Sequence, residues 1–143
     1  MSDRVPRGTR ELVIRRAEGR CEYCGCSQSH CPDSLSVEHV IPKHLGGGHD
    51  DSNLALAYQG CNGRKYTAIE ANDPATGIPA PLFNPRMEDW ETHFCWNEDR
   101  TLVWGKTPTG RATLERLALN REGVVNLRRL LVVDAFQRRS IGE

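Results

Sequence analysis

Glu38-His39, Asn53 and Asn62 are the residues of this sequence whose types and order could hydrolyse a phosphodiester. Such a reaction needs a base for water, a divalent cation to offset charge on the phosphate and leaving oxygen, and fixed positions for both. His39 suits the first task, because imidazole titrates near neutral pH. Glu38 and Asn62 offer the hard oxygen ligands that magnesium favours, and magnesium commonly takes only one or two protein ligands. A histidine beside an acid is commonplace alone, as is an asparagine before a glycine, which usually marks a turn or cap. Their joint occurrence in this order carries the reading.

These groups need elements to position them. "LSVEHVIP" (35–42) reads as a strand closed by Pro42, where Glu38 and His39 would point to opposite faces. The strand must therefore end near them, and Pro42 with the glycines of "KHLGGGHDDSN" permits that. Asn53, beyond this loop, can hydrogen-bond its backbone and fix the imidazole. "LALA" (54–57) followed by "CNGRKYTAIEA" reads as one or two short helical turns carrying Asn62, so the expected order is strand, loop, helix. His44 and His49 lie in the glycine loop, where solvent-facing side chains are expected.

Upstream, "TRELVIRRAEG" reads as a short helix stopped by Gly19, and "CEYC" (21–24) as a tight turn. Downstream, residues 72–86 hold Pro74, Pro79, Pro81 and Pro85 and read as an irregular surface arm. "THFCWNEDRTLVWGKT" has the pattern of a β-hairpin. "TPTGRATLERLAL" and "EGVVNLRRLLVVDAF" space apolar residues as amphipathic helices, with a packed face and solvated arginines.

The 143 residues fit one domain spanning 1–143, with a motif core at about 21–68 and the hairpin and helices at about 90–139. The first twenty residues carry scattered charges and no apolar run, which argues against a secretory leader or membrane span and makes the cytoplasm the expected compartment. Six cysteines in that setting point to metal ligation rather than a disulfide framework. The formal net charge of zero conceals +3 over residues 1–20 and +5 over 100–143. Basic ends around an acidic centre suit a polyanion held over a cation site, and solvated helix faces explain the same count about as well.

"VEHVIPKHLGGGHDDSNLALAYQGCNGRK", preceded by "CEYC", resembles the HNH endonuclease family, with its pattern of C-x-x-C, D/E-H, G-G, N-L and C-N-x-x-K. The likeness extends through "DPATGIPAPLFNPRMEDWETHFCW" and "GKTPTGRATLERLALNR" to about Leu131. It implies a ββα-metal core, which with the C-terminal hairpin and two helices read from the patterning makes an α+β chain. It implies that His39 is the general base, that Glu38 and Asn62 bind a catalytic Mg²⁺ or Mn²⁺, and that Asn53 fixes the loop. Lys65 matches the terminal lysine of the pattern and is expected at a phosphate, with Arg64 beside it as a second nucleic-acid contact. The implied substrate is DNA, RNA being open on sequence alone, and the products a 5′-phosphate and a 3′-hydroxyl. The rival readings are a silent nucleic-acid-binding module and a zinc-stabilised interaction module of the same fold.

In that family a second C-x-x-C commonly joins the first in a structural zinc knuckle. Here it reads "YQGC", with Tyr58 at the first cysteine position. Tyrosine is a poor zinc ligand, since its phenol stays protonated at neutral pH. Cys21, Cys24 and Cys61 make three ligands, and Cys26, His30 or Cys31 could be the fourth, with Cys31 favoured because it leaves more chain to swing round. The alternative is no zinc, with packing of Tyr58 in its place.

Overall fold

The computed structural model describes residues 5–30 and 35–130 and is a mixed α+β structure of helices and small antiparallel sheets. Cys31, the favoured fourth zinc ligand, and the last part of the second C-terminal helix lie outside the described residues.

The chain opens with α1 (Arg7–Arg16), which buries Val13 and ends before Gly19, where φ is +67°. The C-x-x-C turn leads to β1 (Leu35–His39), which pairs antiparallel with β2 (Leu54–Tyr58), Glu38 facing Ala55 and His39 facing Leu54. β2 departs from the expected helical turns. Leu54, Ala55, Leu56 and Ala57 are all buried, so both faces of the strand are covered and its sequence lacks the apolar–polar alternation that marks a half-exposed strand. Helix α2 (Gln59–Lys65) follows directly and completes a ββα unit.

The proline-rich arm is not wholly irregular either. β3 (Glu70–Asn72) and β4 (Pro79–Pro81) pair antiparallel, Asn72 opposite Pro79 and Glu70 opposite Pro81. Ladder bonds Asp73 N–Ile78 O and Leu82 N–Ile69 O flank this pairing. Because antiparallel bonds fall on alternate pairs, both prolines stand at positions that need no N–H.

Helix α3 (Trp90–His93) leads into the hairpin β5 (Phe94–Trp96) and β6 (Val103–Gly105), followed by α4 (Pro108–Leu117) and α5 (122–130). Thr107 caps α4 by accepting from Gly110 N at 3.0 Å, with Pro108 in the first turn. Gly110 is required by close approach, since a Cβ there would lie 2.1 Å from His93 O.

One apolar cluster joins these parts, running from Val13 through Tyr23, the β2 residues and Cys61 to Phe83, Phe94, Leu117 and Val124. Phe83 lies edge-on to Tyr23 and Phe94, with centroids 6.3 and 5.4 Å away. Buried polar ties reinforce it. Arg128, expected in solvent, donates instead to Cys24 O and Leu119 O at 3.1 and 2.7 Å, which fastens α5 to the C-x-x-C turn. Asp73 accepts both arms of Arg111 at 2.9 and 2.7 Å and so ties the β3–β4 arm to α4.

Candidate active site

The ββα unit places the sequence-marked residues around the end of β1. Consecutive strand residues face opposite ways, and here that divides Glu38 from His39. Glu38 is 3% exposed and faces the interior, while His39 is half-buried on the loop side.

The Glu38 carboxylate has two differently treated oxygens. Oε1 accepts a hydrogen bond from the Tyr23 phenol. Oε2 accepts no hydrogen bond and stands 3.5 Å from Lys65 Nζ. Burial raises the Glu38 pKa, with the Lys65 charge and the Tyr23 bond opposing. Burial and the neighbouring carboxylate likewise hold the Tyr23 phenol well above its ordinary range, so it stays a donor. Tyr23 was hidden in the sequence as a spacer within "CEYC"; no pattern at that position announces its partner.

Lys65 is 1% exposed, and its ammonium also donates to Val40 O at 2.9 Å. The expected phosphate contact is therefore not available to it in this fold. Its charge is used internally, on Glu38 and on the backbone just past β1. Arg64 is exposed, with Nη1 on Gly60 O at 3.1 Å. Asn62 is half-buried on α2, three residues before Lys65 and so on the same helical face that reaches Glu38.

On the loop side, His39 Nε2 lies 2.8 Å from His49 Nδ1, with the rings edge-on and centroids 4.8 Å apart. His49 is half-buried rather than turned to solvent as expected for the glycine loop. His44 is exposed in the 3-10 turn Lys43–Leu45. Asn53 ties the loop at three points. Its Oδ1 accepts from Ile41 N at 2.9 Å, and its Nδ2 donates to Ile41 O and Gly48 O, both at 3.0 Å. Gly47 lies in this clasp, where a Cβ would stand 1.7 Å from Ile41 O and 2.7 Å from Asn53 Nδ2. Only glycine fits there without moving the loop.

Behind this unit, the Sγ atoms of Cys21, Cys24 and Cys61 lie within 4.8 Å of one another, all buried. This group could hold a metal such as zinc, and its three thiols are the donors such a structural centre uses. No other histidine, cysteine or carboxylate among the described residues joins it. Cys26, one of the candidates for a fourth ligand, is disulfide-bonded. Next to the cluster, the Arg121 guanidinium donates to Cys61 Sγ at 3.4 Å and lies over the Tyr58 ring, 5.5 Å from its centroid. Tyr58 thus carries a cation where the family pattern has a cysteine. Arg121 comes from the distant turn between α4 and α5, and no sequence signal linked it to this place.

A two-stranded antiparallel hairpin and a following helix, with an Asn-clasped loop and an adjacent Glu-His pair, make up a ββα unit. Residues 21–67, about a third of the chain, match the family model of the HNH endonuclease. The match ends before β3, so the likeness read further along the sequence is not part of it. No curated protein and no solved structure matches the chain.

Proposed function

We propose that the protein is a metal-dependent endonuclease that hydrolyses DNA phosphodiesters, with His39 as the general base and Glu38 and Asn62 as the holders of a divalent ion. The observation that supports it best is the divided face of β1: an imidazole set toward the loop, and behind it a buried carboxylate oxygen that accepts no hydrogen bond. Such an oxygen, with no hydrogen bond and the Lys65 ammonium 3.5 Å away, has lone pairs left for a metal. Magnesium or manganese bound there would offset charge developing on the phosphate and leaving oxygen.

The chain's own groups do the rest. His39 takes a proton from water, Asn53 holds the loop that carries His49, and Tyr23 fixes the orientation of the carboxylate through Oε1. Lys65 keeps positive charge beside Glu38, so that a carboxylate can persist in a buried place. The three-cysteine group would hold zinc as a structural tie between the C-x-x-C turn and α2.

The Glu38–Lys65 pair also favours a second reading, a DNA-binding module in which the carboxylate is already compensated and no cutting occurs. Supercoiled plasmid incubated with Mg²⁺, with Mn²⁺ or with neither separates the two. Nicking by the wild type that is lost in His39→Ala supports the nuclease. Equal nicking by both proteins removes His39 as base, and DNA binding without cleavage under either metal leaves the silent module.

A further inference from the structure

The residue after Lys65 has a backbone that its side chain does not favour. Tyr66 ends α2 with φ +51° and ψ −124°, and Ala68 N donates to Lys65 O at 3.0 Å across it. Residues 65–68 therefore form a turn of the II′ kind with Tyr66 at its second position, where glycine is the usual occupant. A bulky residue at positive φ is strained, and strain of this sort collects at binding and catalytic sites.

The tyrosine ring does not offset that strain by packing. The residue is 73% exposed, the most exposed aromatic of the described residues. Around it are two exposed arginines, Arg64 and Arg116. The Arg116 guanidinium donates to Arg64 O at 2.9 Å and reaches Lys65 O at 3.5 Å, so it sits at the end of α2 beside the tyrosine. Lys65, one residue back, contacts Glu38. An aromatic face with flanking guanidinium groups next to a candidate phosphodiester site is the combination that takes nucleobases by stacking and backbone by charge.

We infer that Tyr66 is a stacking platform for an unpaired nucleobase next to the scissile phosphate, with Arg64 and Arg116 on the adjoining backbone. The inference rests on the nuclease reading for its substrate class. It narrows that class, because the faces of a base within a duplex are covered by its neighbours. Only a single-stranded or splayed nucleotide can present a face to the ring.

The test compares wild type, Tyr66→Gly and Tyr66→Phe in buffer without added Mg²⁺ or Mn²⁺, so that binding is read apart from cleavage. Each is titrated with a fluorescent single-stranded oligonucleotide, and with its duplex with or without one unpaired base, and each is melted. The expected result is that Tyr66→Gly melts at least as high as wild type yet binds the single strand and the bulged duplex about fivefold or more weakly, from a stacking energy of about one unit of kcal/mol or above. Tyr66→Phe keeps both properties. Unchanged affinity in Tyr66→Gly overturns the inference, as does a lowered melting temperature, which would show that the ring supports the fold. If Tyr66→Gly binds and cuts normally while His39→Ala is dead, stacking falls and the nuclease stands. If the affinity loss appears but no metal supports cutting, the nuclease falls and stacking stands.

Discussion

Lys65 Nζ stands 3.5 Å from Glu38 Oε2, and both side chains are only 2% exposed. Breaking a buried pair by removing one partner leaves an uncompensated charge, which typically costs about 3–5 kcal/mol. Lys65→Met should therefore lower the denaturant midpoint sharply. The double variant Lys65→Met/Glu38→Gln should recover part of the loss, because the orphaned charge is then gone as well. A phosphate-contact role for Lys65 predicts the reverse pattern, with weakened DNA binding and unchanged stability.

Asn53 is the clasp of the loop that carries His49, and its three bonds to Ile41 and Gly48 use both ends of the amide. Asn53→Asp keeps the acceptor for Ile41 N and loses both donors, placing a carboxylate against two carbonyls. We expect Asn53→Asp to be at least as harmful as Asn53→Ala, each costing about 1–3 kcal/mol in stability. Plasmid nicking should fall further than the stability change accounts for. Melting curves and nicking rates on the same preparations check both parts.

How much of this was legible follows from where each signal lies. β1 and the β5–β6 hairpin show in the sequence because β-branched and aromatic runs are bounded by turn residues. α4 shows because its apolar spacing is helical. β2 was hidden by being covered on both faces, and β4 by prolines that happen to fall on the unbonded pairs of a short ladder. At the site, Glu38, His39 and Asn53 could be singled out because local order places them together. The Tyr23–Glu38 bond, the placement of Arg121 over Tyr58 and the internal use of Lys65 depend on tertiary approach, which short-range pattern does not encode.

Asp73 gives a pH dependence with a definite sign. Its carboxylate is fully buried and is held at about 2, below the ordinary 3.8, first by the hydrogen bonds from Arg111 and then by Ala75 N and Thr76. A depressed acid stabilises the fold above its unfolded pKa and loses that contribution as pH falls through the folded value. Wild type should therefore be more stable than Asp73→Asn at pH 5, and the gap should close between about pH 4 and pH 2. Urea midpoints for the two proteins across that range decide it; a gap independent of pH would assign the effect to lost hydrogen-bond geometry alone.

The three-cysteine group leads to a prediction of metal content. With Cys21, Cys24 and Cys61 so close and buried, we expect purified protein to carry zinc, and Cys61→Ser to lose it together with a marked drop in melting temperature. Arg121→Leu should keep the zinc while weakening the tie of α4 and α5 to α2, since the guanidinium also binds Leu117 O and Ala118 O at 3.1 and 3.2 Å. Zinc-free protein whose melting is unaffected by Cys61→Ser would show that packing alone holds this corner.

His49 is the remaining test of the site. Its Nδ1 lies 2.8 Å from His39 Nε2, so one ring must donate to the other and the pair fixes which His39 nitrogen is committed to His49. Removing the partner takes away the contact made at His39 Nε2, and misplacement of a reacting group by about 1 Å can cost around a hundredfold in rate. With His39 as the proposed base, His49→Ala should slow plasmid nicking by roughly ten- to a hundredfold at saturating DNA, with affinity nearly unchanged, because the imidazole is misplaced rather than removed. Nitrogen-15 NMR of the His39 ring should show a changed tautomer balance in the variant even without substrate. A rate loss confined to subsaturating DNA, with the ring signals unmoved, would make His49 a binding residue instead.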